Sequence, residues 1–246
     1  MSFRYLRRDT NRPPKPPTPQ AQASAWDVVV LSFKLLFQRV QLWIQPNFWM
    51  VVFSLGLVTA PVAKAALYHI VSLGLRDPGD STGVNPLKEM QNGFKRYFWR
   101  ALLLSMIKWL TFGVIAVSIY FWITQEGWGL RAVSIISIYA LVLWWISAGY
   151  LHPILVDNPR QPMGKIFKAA LLLGLRKPFQ SLLFAVVSTL LMVLGTALLG
   201  PVMLIIPVLR AIIMTQAYWF VTGREIPGFM EIYEYIQKKE RIRGIL

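Results

Sequence analysis

The chain has 246 residues, of which 55% are hydrophobic and 15% are charged, and Lys and Arg number 26 against 11 for Asp and Glu. Soluble domains carry about 45–50% apolar and about 25% charged residues, so the composition excludes an ordinary soluble domain and predicts a membrane protein. In that class the net charge of +15 indicates basic cytoplasmic loops and not a nucleic-acid partner, and the absence of cysteine excludes disulfides and thiolate chemistry.

The first 25 residues form a basic segment with five prolines between positions 13 and 19. This composition favours an extended or disordered chain over a helix. We therefore predict a flexible, solvated tail over residues 1–25. A proline-rich ligand for a partner domain is the alternative.

Residues 26–45 have the pattern of an amphipathic helix. Their apolar side chains recur at steps of three and four, and Lys34 and three glutamines occupy the other face. A helix of this kind lies in the membrane interface or packs on a helix bundle, and the pattern fits both. We adopt the N-terminal interfacial helix as the prediction.

Five further stretches are apolar and long enough to cross a hydrocarbon layer of about 30 Å. They are residues 40–59, 99–123, 132–152, 179–199 and 201–222. Gly200 alone separates the last two, which predicts a tight antiparallel hairpin. Residues 26–222 are thus expected to form one all-α, polytopic transmembrane bundle, and residues 223–246 a cytoplasmic amphipathic helix.

Residues 55–77, "LGLVTAPVAKAALYHIVSLGLRD", decide whether five or six segments cross. The chain either crosses residues 40–75 once as a kinked span, or turns near Pro61 and returns. The basic loop 153–178 is expected to be cytoplasmic. Only a return leg puts the basic N-terminal tail on that same side, and Pro61 suits the first turn of a new helix. We therefore predict a hairpin, six crossing segments and two cytoplasmic termini.

Several quoted stretches resemble the YesL-like family of bacterial integral membrane proteins over about residues 40–215. They are "NFWMVVFSLGLVTAPVAKAALYHIV", "GFKRYFWRALLL", "GYLHPILVDNPRQPMGKIFKAALLLGLRKPFQSLLF" and "VLRAII". The resemblance implies a protein of the bacterial cytoplasmic membrane with no assigned activity, often encoded beside carbohydrate ABC transporters. It supplies no catalytic residue, and the proline-rich tail and the C-terminal segment depart from the family pattern.

The sequence lacks the motifs of common enzymes: no HExxH, Walker A or GxSxG occurs. His69 and His152 each stand without a carboxylate near them in sequence. We therefore predict a non-enzyme with no catalytic residue, cofactor site or metal site. No Asp or Glu falls within the predicted spans, which argues against a proton-coupled carrier.

The candidate functional residues within the membrane are Arg210, Lys108, His69 and Pro61. Arg210 falls near the midplane of its span, where a charge costs at least about 2.5 kcal/mol, so its side chain should face the bundle. Backbone carbonyls are its expected partners, with an anion or a partner's carboxylate as the alternative. Lys108 lies nearer the cytoplasmic end of its span and is expected to extend its amino group toward the cytoplasm.

Residues 153–178 predict a cytoplasmic amphipathic helix that begins at Pro162 and serves as the partner-docking surface, with Pro178 beginning the next span. Its candidate docking residues are Lys165, Lys168, Arg176 and Lys177. The segment "KAALLLG" (168–174) is similar to the core of the loop by which ABC permeases dock their ATPase, although Lys168 stands where those loops have glutamate. Anionic lipid is the alternative ligand for the same charges.

These features predict a non-enzymatic membrane protein accessory to solute transport. That the solute is a carbohydrate rests on the family resemblance alone. Its expected partners are membrane lipid and an ABC transporter or other membrane-complex subunits. A structural subunit of a larger membrane complex is one alternative. A small-solute transporter in its own right is the other.

Overall fold

A computed structural model describes residues 24–38, 40–56, 58–76, 85–197 and 205–226. In this part of the chain every regular element is a helix, so the predicted all-α bundle is confirmed. The helices are α1 (Ala25–Gln38), α2 (Val40–Ser54), α3 (Ala60–Arg76), α4 (Pro86–Ile123), α5 (Trp128–Ala148), α6 (Leu151–Asp157), α7 (Met163–Arg176), α8 (Pro178–Ala197) and α9 (Ile206–Thr222). Residues 1–23 of the predicted tail 1–25, the turn at Gly200 and most of the segment 223–246 lie outside the described residues.

Helix α1 is fixed at its start by a reciprocal cap. The backbone N–H of Ser24 donates to Asp27 at 2.7 Å, and the backbone N–H of Asp27 donates to the Ser24 hydroxyl at 3.2 Å. One face of α1 packs on α9, where the Ser32 hydroxyl donates to Gln216 Oε1 at 2.6 Å. The predicted helix over residues 26–45 agrees with α1 as far as Gln38 and with α2 from Val40 on, and residue 39 between them lies outside the described residues.

Helices α2 and α3 form an antiparallel hairpin, which agrees with the predicted reversal of the chain. A Cβ at Gly74, near the end of α3, would lie 2.8 Å from the ring of Trp43, near the start of α2. The turn is closed by the Thr59 hydroxyl, which donates to the carbonyl of Gly56 at 2.7 Å. Pro61 lies in the first turn of α3, where its missing N–H breaks no helical hydrogen bond.

Helix α4 starts 13 residues before the predicted span 99–123 and runs unbroken for 38 residues. Asn85 caps it, and its side-chain oxygen accepts the N–H groups of Leu87 and Lys88. Gly93 lets α3 approach closely, since a Cβ there would lie 3.2 Å from the Cα of Ala66. The hairpin therefore contacts the polar N-terminal third of α4. These contacts do not require the hairpin to cross the whole membrane.

The segment 153–178 was predicted as one docking surface, and its first five residues contradict that. Residues 153–157 belong to α6, and Pro153 through Val156 are buried. The amphipathic helix is α7, which follows Pro162 and ends just before α8 begins at Pro178, so both predicted proline boundaries are confirmed. Apolar side chains of α7 such as Ile166 and Ala170 pack inward, and Phe167 stacks on Trp144 at 5.8 Å.

Helix α9 is the centre of the bundle. All residues from Ala211 to Val221 are buried, and α9 contacts α1, α3 and α8 most extensively. A helix buried on every side needs no amphipathic stripe, as its sequence shows. It ends at Gly223, whose φ of 74° permits a Schellman cap: Arg224 N–H donates to the Trp219 carbonyl at 2.9 Å.

Among the described residues, three segments are long and apolar enough to cross a membrane: Pro86–Ile123, Trp128–Asp157 and Pro178–Ala197. In the most apolar 18 residues of each segment only 11%, 17% and 28% of the residues are buried, so most of these apolar side chains are partly or fully exposed. Soluble proteins rarely expose contiguous apolar patches above a few hundred Å². The outward apolar surface is therefore explained by contact with lipid, which makes this a membrane protein with transmembrane helices.

Replacing Gly93 with Leu should destabilise the bundle by about 1–3 kcal/mol, because the larger side chain forces α3 and α4 apart. Gly113→Leu is the matched control on the same helix, since a Cβ at Gly113 meets nothing within 4 Å. We expect the control to be neutral or stabilising, because leucine favours helix over glycine by up to about 1 kcal/mol. Thermal unfolding of the purified protein in detergent measures both, and equal effects would contradict the close α3–α4 contact.

Candidate functional site

A cavity of about 210 Å³ lies where α4, α5, α8 and α9 meet. Two basic side chains line it, Lys108 from α4 and Arg210 from α9. Aromatic side chains form much of the remaining wall: Trp109, Phe112, Trp144 and Trp145. We call this the basic cavity.

Arg210 of α9 is half-buried and its side chain contacts α8. Its Nε donates to the Ser188 hydroxyl at 2.7 Å, and its Nη1 lies 3.2 Å from the Met192 sulfur. Within the described ranges its partners are a hydroxyl and a thioether and not the expected backbone carbonyls, and a thioether is a weak acceptor. Ser188 is the eleventh of the 20 residues of α8, so the guanidinium lies near the middle of that apolar helix.

Lys108 lies in the same cavity with its amino group 5.0 Å from the centre of the Trp109 ring. This cation–π contact partly compensates for the loss of hydration. Helices that are far apart in sequence therefore bring two basic side chains, Lys108 and Arg210, to one cavity.

The two histidines occupy different environments. The His152 ring stacks on Tyr68 with centroids 5.3 Å apart, and its Nε2 is buried without a hydrogen-bond partner among the described residues. His69 lies 3.7 Å from a carboxylate oxygen of Glu89, a pairing that the sequence distance concealed. Neither side chain lines the basic cavity, so the structure does not join His69 to Arg210 and Lys108.

A second polar centre forms around Asp157, whose role the sequence analysis missed. Arg76 and Arg224 each donate to its Oδ1 at 2.8 Å, and the Tyr218 hydroxyl donates to its Oδ2 at 2.9 Å. These bonds join the C-terminal ends of α3, α6 and α9, and we call this part of the molecule the Asp157 end. The hydrogen bond from Arg224 to Asp157 raises the pKa of the guanidinium above its ordinary value.

Arg100 secures the loop that follows Asp157. Its guanidinium donates to the backbone carbonyls of Pro159 and Gln161, which would otherwise lack partners in a turn between two helices. Arg100 thereby attaches α4 to the chain just before α7. Four helices converge at the Asp157 end as a result.

The four predicted docking residues lie on or just after α7, away from the basic cavity. Lys165, Lys168 and Arg176 are exposed, and we call these three the α7 face. Lys177 is half-buried, with its amino group 4.5 Å from the centre of the Phe220 ring. It therefore contributes to packing against α9.

Within the described residues, no group of three His, Asp or Glu side chains is arranged to hold a metal ion. Comparison of the chain with protein-family models, curated proteins and solved structures gave no match. The function must therefore be argued from the geometry of this chain.

Asp157→Asn should lower the free energy of unfolding by about 2 kcal/mol, because it removes the charge that two arginines share. The arginine side chains are 52% and 46% exposed, which keeps the loss below that of a fully buried pair. Glu126→Gln in the exposed α4–α5 loop is the matched control and should leave stability unchanged. Denaturant titration in detergent would contradict the role of Asp157 if the two variants behaved alike.

Proposed function

We propose that this protein is a non-enzymatic, multi-pass membrane protein that serves as an accessory subunit of a solute-transport complex. The observation that carries the proposal is the separation of two outward surfaces. An apolar surface on α4, α5 and α8 fits lipid, and the exposed α7 face offers basic side chains at one end of the bundle. A protein with both surfaces is suited to sit in the bilayer and bind an acidic partner.

The orientation follows from charge. Arg76, Arg100 and Arg224 belong to the Asp157 end, and the α7 face adds three more basic residues there. The opposite end has the α4–α5 loop with Arg131 as its only basic residue between 124 and 131. The positive-inside rule then makes the Asp157 end cytoplasmic.

The hairpin of α2 and α3 returns the chain to the side from which it came, whether or not it crosses the full bilayer. If the hairpin crosses, the chain has six crossing segments. If it stays near the polar part of α4, the chain has four, which are the segments around α4, α5–α6, α8 and α9. Both counts are even, so both termini are cytoplasmic in each. Exposed Trp26 and Phe37 on α1 support contact of that helix with the membrane interface.

The resemblance to the YesL-like family of the bacterial cytoplasmic membrane supports an ABC transporter for carbohydrates as the partner. A structural role in another membrane complex uses the same α7 face. A small-solute transporter is the weaker alternative, because solute pockets usually measure about 300–1,000 Å³ and the basic cavity has about 210 Å³.

Single cysteines give a clean test of orientation, because the chain has none of its own. A membrane-impermeant thiol reagent should label Glu126→Cys in intact bacterial cells. It should label Lys168→Cys only after the cells are made permeable. Reporter fusions after residues 25 and 246 should both indicate the cytoplasm, and an external signal from the first fusion would refute the hairpin topology.

Reversing the charge of the α7 face tests the docking role. Lys165→Glu combined with Lys168→Glu should abolish co-purification of ABC-transporter subunits from native membranes, because it puts negative charge against an acidic partner. The matched control is Lys88→Glu with Lys95→Glu, which makes the same charge change on exposed positions of α4. Retention of the partner by the α7 variant, with membrane insertion intact, would refute the proposed docking surface.

A further inference from the structure

The basic cavity has an excess of positive charge that the protein itself does not neutralise. Arg210 and Lys108 both line it, and no acidic side chain does so among the described residues. The sequence has no Asp or Glu between residues 158 and 224, nor between residues 90 and 125. Like charges held together in an apolar interior destabilise a protein unless a counter-ion joins them.

Both cations retain hydrogen-bonding capacity. A guanidinium carries five N–H donors, and the described contacts of Arg210 to Ser188 and Met192 use two of them. The amino group of Lys108 contacts the Trp109 ring, which leaves its N–H donors without an oxygen acceptor in the described part of the chain. Arginine recognises planar or tetrahedral oxyanions with paired donors, and lysine adds a point charge.

The shape of the cavity restricts what such an anion is attached to. Its rim includes Trp109, Phe112 and Trp145, whose side chains are 62%, 42% and 37% exposed on the apolar outer surface of the bundle. A volume of about 210 Å³ holds an oxyanion and a few more atoms, but not a drug-sized molecule. A ligand with more atoms than that extends through the aromatic rim toward the hydrocarbon layer.

We propose that the basic cavity binds the phosphate group of an amphiphile, with Arg210 and Lys108 on the phosphate and the alkyl chain against Trp109 and Trp145. The Ser188 hydroxyl orients Arg210, and Thr189 supplies a further donor in the cavity wall. This site is independent of the α7 face. If the cavity does not bind an amphiphile, the docking proposal for the α7 face still stands. If the α7 face does not dock a partner, the proposal for the cavity still stands.

The test uses the full chain purified in the neutral detergent dodecyl maltoside, which shares the alkyl chain but carries no charge. Dodecyl phosphate should raise the thermal unfolding midpoint in a saturable way, and inorganic phosphate at the same concentration should not. Arg210→Gln should weaken the apparent affinity for dodecyl phosphate at least tenfold. Lys168→Gln, which removes one exposed positive charge from α7, should leave the affinity unchanged.

Lys108→Gln serves as the second variant, because Lys108 makes no described hydrogen bond whose loss would unfold the bundle, and it should also weaken binding. Absence of saturable binding by the parent protein would overturn the proposal, as would full binding by both cavity variants. Equal stabilisation by inorganic phosphate and dodecyl phosphate would overturn the amphiphile and assign the cavity to a free anion.

Discussion

The architecture depends on how few carboxylates the chain has for its many cations. Asp157 is the only acidic residue between Glu126 and Glu225. It lies at the C-terminal end of α6, where the helix dipole disfavours negative charge, and two arginines from the ends of α3 and α9 offset that cost. One carboxylate thus brings three helix ends together, and the cations elsewhere must find other partners.

Those other partners are aromatic rings, hydroxyls and backbone carbonyls. Lys108 and Lys177 lie over Trp109 and Phe220, and Arg100 holds the carbonyls that follow Asp157. Rings and carbonyls carry no net charge, so they solvate a cation without neutralising it. The described side chains around Arg210 therefore solvate its charge without cancelling it.

The sequence predicted helix limits well where a residue at the limit itself, such as a proline, determines them. Pro162 and Pro178 marked the starts of α7 and α8. The N-terminal extension of α4 was not predicted, although Asn85 caps a helix there. Polarity alone does not separate a cytoplasmic loop from the solvated part of a long helix.

Contacts between distant residues were beyond such reasoning. Asp157 lies 81 residues from Arg76 and 67 from Arg224, and no periodic pattern relates them. The partner of Arg210, Ser188, is 22 residues away on a helix whose serines look like ordinary packing residues. The basic cavity exists only once four helices are assembled. The pattern of charges along the sequence therefore identifies its basic residues one by one, but does not show that they line the same cavity.

The unbroken helix α4 connects the α2–α3 hairpin to the basic cavity. About 29 Å of continuous helix separate Glu89, which contacts the α2–α3 hairpin through His69, from Lys108 in the wall of the basic cavity, at a rise of about 1.5 Å per residue. A rotation of α4 by about 10° about either point displaces the other by about 5 Å over that length. If α4 turns as a rigid body, a shift of the α2–α3 hairpin against Glu89 therefore also moves the wall of the basic cavity, because one helix carries both contacts.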